Sequence, residues 1–296
     1  MPTILTKILP VVLVLIIGVV CRKKGFINET RTQTLKDVAV NITLPFVLLS
    51  VFGSTEFSAS NILIPSVSFL ACIVALALGF VLFKLMKLQG TILPYLTSGF
   101  EAGMLGYALF AILQGGNKLS SFALIDLGQV TFVFTVYRML ISGNRNAKDI
   151  ILNIINTPVI WGMTTGILLS TTGLYTQFSD YIESICSFAS APTGTIILLC
   201  IGSDLASQKV SLRKALAPVA LRIFVLSVVF ALVYYTDMLL GIGINHQALL
   251  LMFALPAPFV LPIFATAANE RADVASALSI QTIITLIIFG LMAINI

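Results

Sequence analysis

The sequence predicts an all-α polytopic membrane protein: ten transmembrane helices in two inverted five-helix repeats. Three observations carry that expectation. Charged side chains are only 10% of the 296 residues, where a soluble domain has about a quarter, so a water-facing shell cannot be built. Apolar stretches recur along the whole length, with 58% hydrophobic residues and a mean hydropathy of +1.05. Pro10, Gly18 and Gly25 in the first stretch are matched at a constant offset by Pro158, Gly166 and Gly173 in the sixth. Five spans per half is an odd number, so the second copy must enter the membrane from the opposite face, as in many secondary transporters. The expected division is residues 1–148 and 149–296, forming one integral membrane domain.

At about 20 apolar residues per span, the helices are expected over 5–21, 34–53, 62–84, 93–114, 122–141, 151–172, 181–203, 215–240, 247–267 and 274–295. Runs such as Val11 to Val20 and Ile151 to Leu169 are too continuously apolar for the alternating strands of a barrel. The first stretch is followed, not preceded, by Arg22, Lys23 and Lys24 and shows no small-residue cleavage site, so it reads as a retained span with its N-terminus outside. With that orientation the inner segments hold fourteen of the 17 Lys and Arg residues. The outer side keeps Lys7 and Lys118, and Arg222 falls inside the eighth span. Both termini are therefore expected outside a cytoplasmic membrane. The pI near 9.1 reflects those loop charges, and no nucleic-acid partner is expected.

The chemistry classes narrow quickly. Cys21, Cys72, Cys186 and Cys200 are widely spaced and offer neither a metal site nor a disulfide framework. There is no phosphate-binding loop, indeed no Gly-Lys dipeptide, so a self-contained ATPase is excluded. Without HExxH, a paired-aspartate motif or a partner for the lone His246, an intramembrane enzyme is not expected. No cofactor is expected beyond a coupling ion, H+ or Na+.

Candidate site residues cluster in the fourth and ninth spans. The fourth carries Glu101 near mid-membrane, where a carboxylate costs at least a few kcal/mol, beside Gly99, Gly103 and Gly106 on one helical face. The ninth carries Pro256, Pro258 and Pro262, which remove backbone donors. Broken helices in equivalent positions of two halves point to a midplane site. Glu101, Gly103, Gly106, Tyr107, Pro256, Pro258 and Pro262 are therefore the expected substrate contacts. Glu101, Asp126, Gln129, Asn41 and Gln281 are the expected coupling residues. Asp126 reads equally as a hydrated structural acid or a proton relay, and Asn41 and Gln281 equally as helix-to-helix hydrogen-bonding groups. Arg222 is expected to snorkel to the inner headgroups, with pairing to an acid or substrate as the rival. Asp204, Asp237, Glu270 and Asp273 read as solvated boundary charges, His246 as solvent-exposed, and Trp161 as a packing residue.

Glu101, Gly103, Gly106 and Ala108 resemble the Asn-x-Gly-x-x-Gly-x-Pro pattern in the fourth span of the auxin efflux carrier family, with Glu and Ala replacing its Asn and Pro. Pro256 and Ala265 resemble the family's ninth span, and Asp126 its fifth-span acid. The family includes bacterial malonate or malate permease-like members. The resemblance implies a fold like that of bile-acid and sodium-proton transporters, with crossing broken helices four and nine and a site between a scaffold and a moving bundle. It also implies an organic-anion substrate such as malonate, malate or an auxin-like acid. The expected function is proton-coupled secondary transport by alternating access. The alternatives are a sodium-coupled carrier and a non-transporting receptor on the same fold. Expected partners are the small organic acid and the lipid bilayer; a homodimer is compatible with outer faces that read alike against lipid or a second subunit.

Overall fold

The computed structural model describes residues 2–57, 62–114, 118–142, 152, 155–207, 211–265 and 267–294. Among them the chain is all-helical, 84% helix without a strand, and seven helices are long and apolar enough to cross a membrane. The basic segment around Arg145 and Lys148, and with it the expected repeat boundary, lies outside the described residues, as does Lys209.

Helix α1 (Pro2–Lys23) ends at the basic cluster. Helix α2 (Glu29–Gly53) starts where the Asn28 side chain accepts the Arg31 N–H at 2.9 Å, an N-cap that satisfies one of the open donors of a first turn. Midway it widens into a π-turn over Ala39–Thr43, in which the Leu44 N–H reaches back to the Ala39 carbonyl. Pro45 next in line has no N–H to give the regular ladder. Helix α3 (Leu63–Leu85) is unbroken, and α4 (Leu93–Gln114) is interrupted. Helix α5 (Leu119–Ile141) carries a second π-turn at Val133–Tyr137. Helix α6 (Pro158–Thr171) begins at a proline, which suits the first helical turn. Helix α7 (Ser179–Ser207) bends at Ala191 and Pro192, and α8 (Leu212–Leu240) closes on Gly241 in the left-handed region at φ 61°. The ninth helix is in two pieces, α9a (His246–Ala254) and α9b (Leu261–Phe264), followed by α10 (Ala268–Ile294). The seven span-length helices are α2, α3, α4, α5, α7, α8 and α10.

The helices pack as two groups. In one, α1 lies along α7 and α2 along α6, the two most extensive helix contacts of the molecule. Small residues let these backbones touch: a Cβ on Gly202 would stand 2.2 Å from the Leu15 carbonyl oxygen, and one on Gly162 would stand 2.3 Å from that of Pro45. Gly18 and Gly166, the pair at constant offset, press against the Leu199 and Leu49 carbonyls of α7 and α2. Within the same group Thr43 of α2 and Thr193 of α7 share a buried 2.7 Å hydrogen bond. The second group is built from α3 on α5, α8 on α10, and α8 on both α3 and the first segment of α4. Helix α4 is its axis: 67% of it is buried, against 33–50% for each other span-length helix. Outward faces carry Ile16, Ile17, Val81, Phe224, Leu232 and Ile287, all 50% exposed or more. In a bilayer those faces meet lipid tails.

Several boundary charges depart from the expected solvated state. Asp204 pairs with Lys36 at 2.6 Å, and Asp273 with Lys214 at 3.5 Å. Glu270 accepts the Ile92 N–H and the Thr91 hydroxyl, capping the start of α4. Asp237, 6% exposed, accepts the Gly243 and Ile244 N–H groups and meets His246 Nε2 at 2.8 Å. Short polar residues beside a chain reversal are drawn to its open backbone donors, which hydropathy alone does not register. Trp161 is 58% exposed on the outer surface rather than packed inside. The close helix contact gives a direct test: Gly202→Ala should cost about 1–3 kcal/mol by overpacking, whereas Gly290→Ala, with nothing near its Cβ position, should be neutral. Thermal melting of the two purified variants checks the difference.

Candidate functional site

The two interruptions meet. In α4 a short 3-10 segment, Leu93–Thr97, gives way at Ser98 to non-helical backbone that ends at Glu101, after which helix resumes as a π-turn over Ala102–Gly106. Gly99 adopts φ +70°, a conformation L side chains rarely take, and a Cβ there would press on the Pro258 ring at 3.1 Å. In α9 the chain from Leu255 to Pro258 is non-helical. The Glu101 N–H donates to the Pro256 carbonyl at 2.9 Å, so the breaks are joined main chain to main chain. The Glu101 side chain adds a second link, its Oε2 accepting the Phe259 N–H at 2.6 Å.

Unpaired backbone groups cannot be left open at membrane depth, and neighbouring helices supply partners for both breaks. Gln129 of α5 donates to the Phe100 carbonyl at 2.6 Å, and Gln281 of α10 accepts the Ala257 N–H at 2.9 Å. Thr285 donates to the Ala254 carbonyl, and Ser98 gives its hydroxyl proton to the Cys72 carbonyl of α3. Arg222 of α8 does most: its guanidinium donates to the Leu96 carbonyl at 2.5 Å, Gly99 at 3.0 Å and Leu255 at 2.7 Å. It is 3% exposed and lies over the Phe100 ring. The expected snorkelling is thus corrected. Arg222 turns inward because the two breaks present carbonyls within its reach, and among the described residues no acid is paired with it.

Beside the crossing lies a cavity of about 460 Å³, walled by α2 and α6 from one helix group and by α4, α5 and α9 from the other. Comparison of the chain with protein-family models and with curated proteins finds no match. The site is accordingly read from its own geometry. Glu101, Gly103, Asp126, Gln129, Asn41 and Pro258 line the cavity, as does Lys36 near its rim, where Gln33 and Asp37 are exposed. The three π-turns among the described residues all contribute wall residues: Val40 and Asn41, Gly103 and Met104, Val133 and Phe134. Such turns re-aim side chains and recur at functional sites.

Gly106, Tyr107, Pro256, Pro262 and Gln281 are not in the wall. A Cβ on Gly106 would meet the Phe122 ring at 2.6 Å, so this glycine serves packing. Tyr107 stands behind the cavity and donates to Asp126 Oδ2 at 2.9 Å. Pro256 contributes its carbonyl to the crossing. Gln281 caps Ala257 and borders a smaller cavity of about 200 Å³ between α8, α9a and α10. Asp126 is 2% exposed, which replaces the hydrated structural acid with a buried one, and its Oδ1 has no hydrogen-bond partner among the described residues. Lys36, the apolar walls at Val133 and Phe134, and the role of Arg222 were not among the sequence candidates. Spacing and hydropathy do not separate a rim charge such as Lys36 from a loop charge.

The rim residues fix which face the cavity serves. In a cysteine-free background Met104→Cys should react with a membrane-impermeant thiol reagent from the same face as Lys36→Cys and from the face opposite Lys118→Cys. Labelling of Met104→Cys from the Lys118 face would contradict the described opening.

Proposed function

We propose that this chain is a secondary transporter that moves a small organic acid across the cytoplasmic membrane by alternating access, resembling the auxin efflux carrier family and coupled to protons. The observation that carries the reading is the Glu101 carboxylate, held on the Phe259 N–H at the crossing of two broken helices and facing a cavity between two helix groups. A carboxylate in that setting is costly unless it does something. Its protonation would weaken its hold on the Phe259 N–H, leaving that donor for an anionic substrate and relaxing the link between α4 and α9.

The ten-span, inverted-repeat architecture belongs to the same proposal. In such a repeat the partnership of α1 with α7 would be equivalent to that of α6 with α2, and α3 with α5 to α8 with α10; the presence of all four contacts supports that reading. Gly18 and Gly166 occupy equivalent seams, and Thr43 and Thr193 would meet on the pseudo-two-fold axis. The group α1, α2, α6, α7 would act as scaffold and the rest as the moving bundle. With the orientation set by Lys and Arg placement, the cavity faces the cytoplasm. The cavity volume of about 460 Å³ lies within the range of small-molecule sites.

Uptake of labelled malonate and malate into proteoliposomes under an inward pH gradient, with a sodium gradient as the second arm, tests the function. Accumulation that collapses with a protonophore is expected, with at least a tenfold loss in Glu101→Ala, about 1.4 kcal/mol at the rate-limiting step. Full proton coupling in Glu101→Gln would remove Glu101 as the proton carrier. Saturable binding without flux would favour the receptor reading.

A further inference from the structure

Backbone carbonyls released by the two helix breaks converge on a single cationic side chain. Leu96 and Gly99 of the first break and Leu255 of the second converge on one guanidinium, that of Arg222, at 2.5–3.0 Å. In broken-helix transporters such freed carbonyls are where Na+ is coordinated. We propose that Arg222 is a resident cation that fills this point permanently, so that removing its side chain uncovers a binding site for a monovalent cation, Na+ or guanidinium, bounded by those three carbonyls.

Three features support the assignment beyond the hydrogen bonds. Among the described residues, no carboxylate is hydrogen-bonded or ion-paired to Arg222, so its charge is balanced by carbonyl dipoles and the face of the Phe100 ring. Its three hydrogen bonds leave two of the five guanidinium N–H groups for other partners. The smaller cavity of about 200 Å³ is lined by Arg222 itself, which leaves room beside the guanidinium position for an added cation. On the transporter reading, and resting on it, this occupancy makes the crossing indifferent to Na+ and leaves the proton on Glu101 as the ion available for coupling.

The test reads melting, not flux, so it stands or falls independently of transport. Purified wild type and Arg222→Ala are melted at fixed ionic strength in choline, sodium or dilute guanidinium chloride. Wild type is expected to melt alike in all three, and Arg222→Ala to melt lower in choline and to regain most of the lost shift in guanidinium and part of it in sodium. No recovery with either ion, or a wild type that itself gains stability from sodium over choline, overturns the proposal. Should the alanine variant not accumulate, Arg222→Lys and Arg222→Gln make the comparison: the charged lysine is expected to hold a melting point above that of glutamine. A glutamine variant as stable as wild type would assign the role to hydrogen bonding and not to charge, and would equally overturn it.

Discussion

Inside a bilayer an unpaired backbone N–H or carbonyl has no water to turn to, and that constraint organises the centre of this protein. Two helices break at the same depth, and the groups they release are taken up by each other and by α5, α8 and α10. Glu101 and Pro256 bond main chain to main chain, Gln129 and Gln281 each serve one break, and Arg222 serves both. Removing one partner from such a buried, charge-assisted set leaves groups that no neighbour can satisfy, which costs more than the hydrogen bond itself contributes. The crossing is therefore a cooperative unit whose members are spread over five helices and more than 180 residues of chain.

How the two helix groups meet follows from the same economy. Within the first group, glycines bring backbones into direct contact, so α1 with α7 and α2 with α6 are close-packed seams. Between the groups the wall is made of longer side chains and a cavity, with Asn41, Val133 and Phe259 facing open volume. Close-packed surfaces have discrete arrangements and little compliance, whereas a surface bordering a cavity can be rearranged without opening a new void. Relative motion, where it occurs, is cheapest along the cavity wall.

The all-helical class, the seven span-length helices and the two interruptions were legible in the sequence because they rest on local composition: apolar run length for the helices, and Gly or Pro inside an apolar run for the breaks. Glu101 was legible because a carboxylate at mid-span is conspicuous against its surroundings. The direction of Arg222 was not, since snorkelling and inward capping begin from the same position on α8 and only the tertiary placement of Leu96, Gly99 and Leu255 separates them. The burial of Asp126 was not legible for the same reason, since it depends on Tyr107 one helix away. The π-turns escaped notice because they are shifts of hydrogen-bond register by one residue, which composition does not encode; the Ala39–Thr43 turn just before Pro45 came nearest to being readable.

Glu101 grips position 259 by its main chain, and Phe259 is also a wall residue of the cavity. The two duties of that residue are chemically separate. The ring can be exchanged for another to reshape what the cavity accepts, and the amide proton that Glu101 recognises stays in place under every replacement except proline. Selectivity and latching can thus diverge at a single position without either constraining the other.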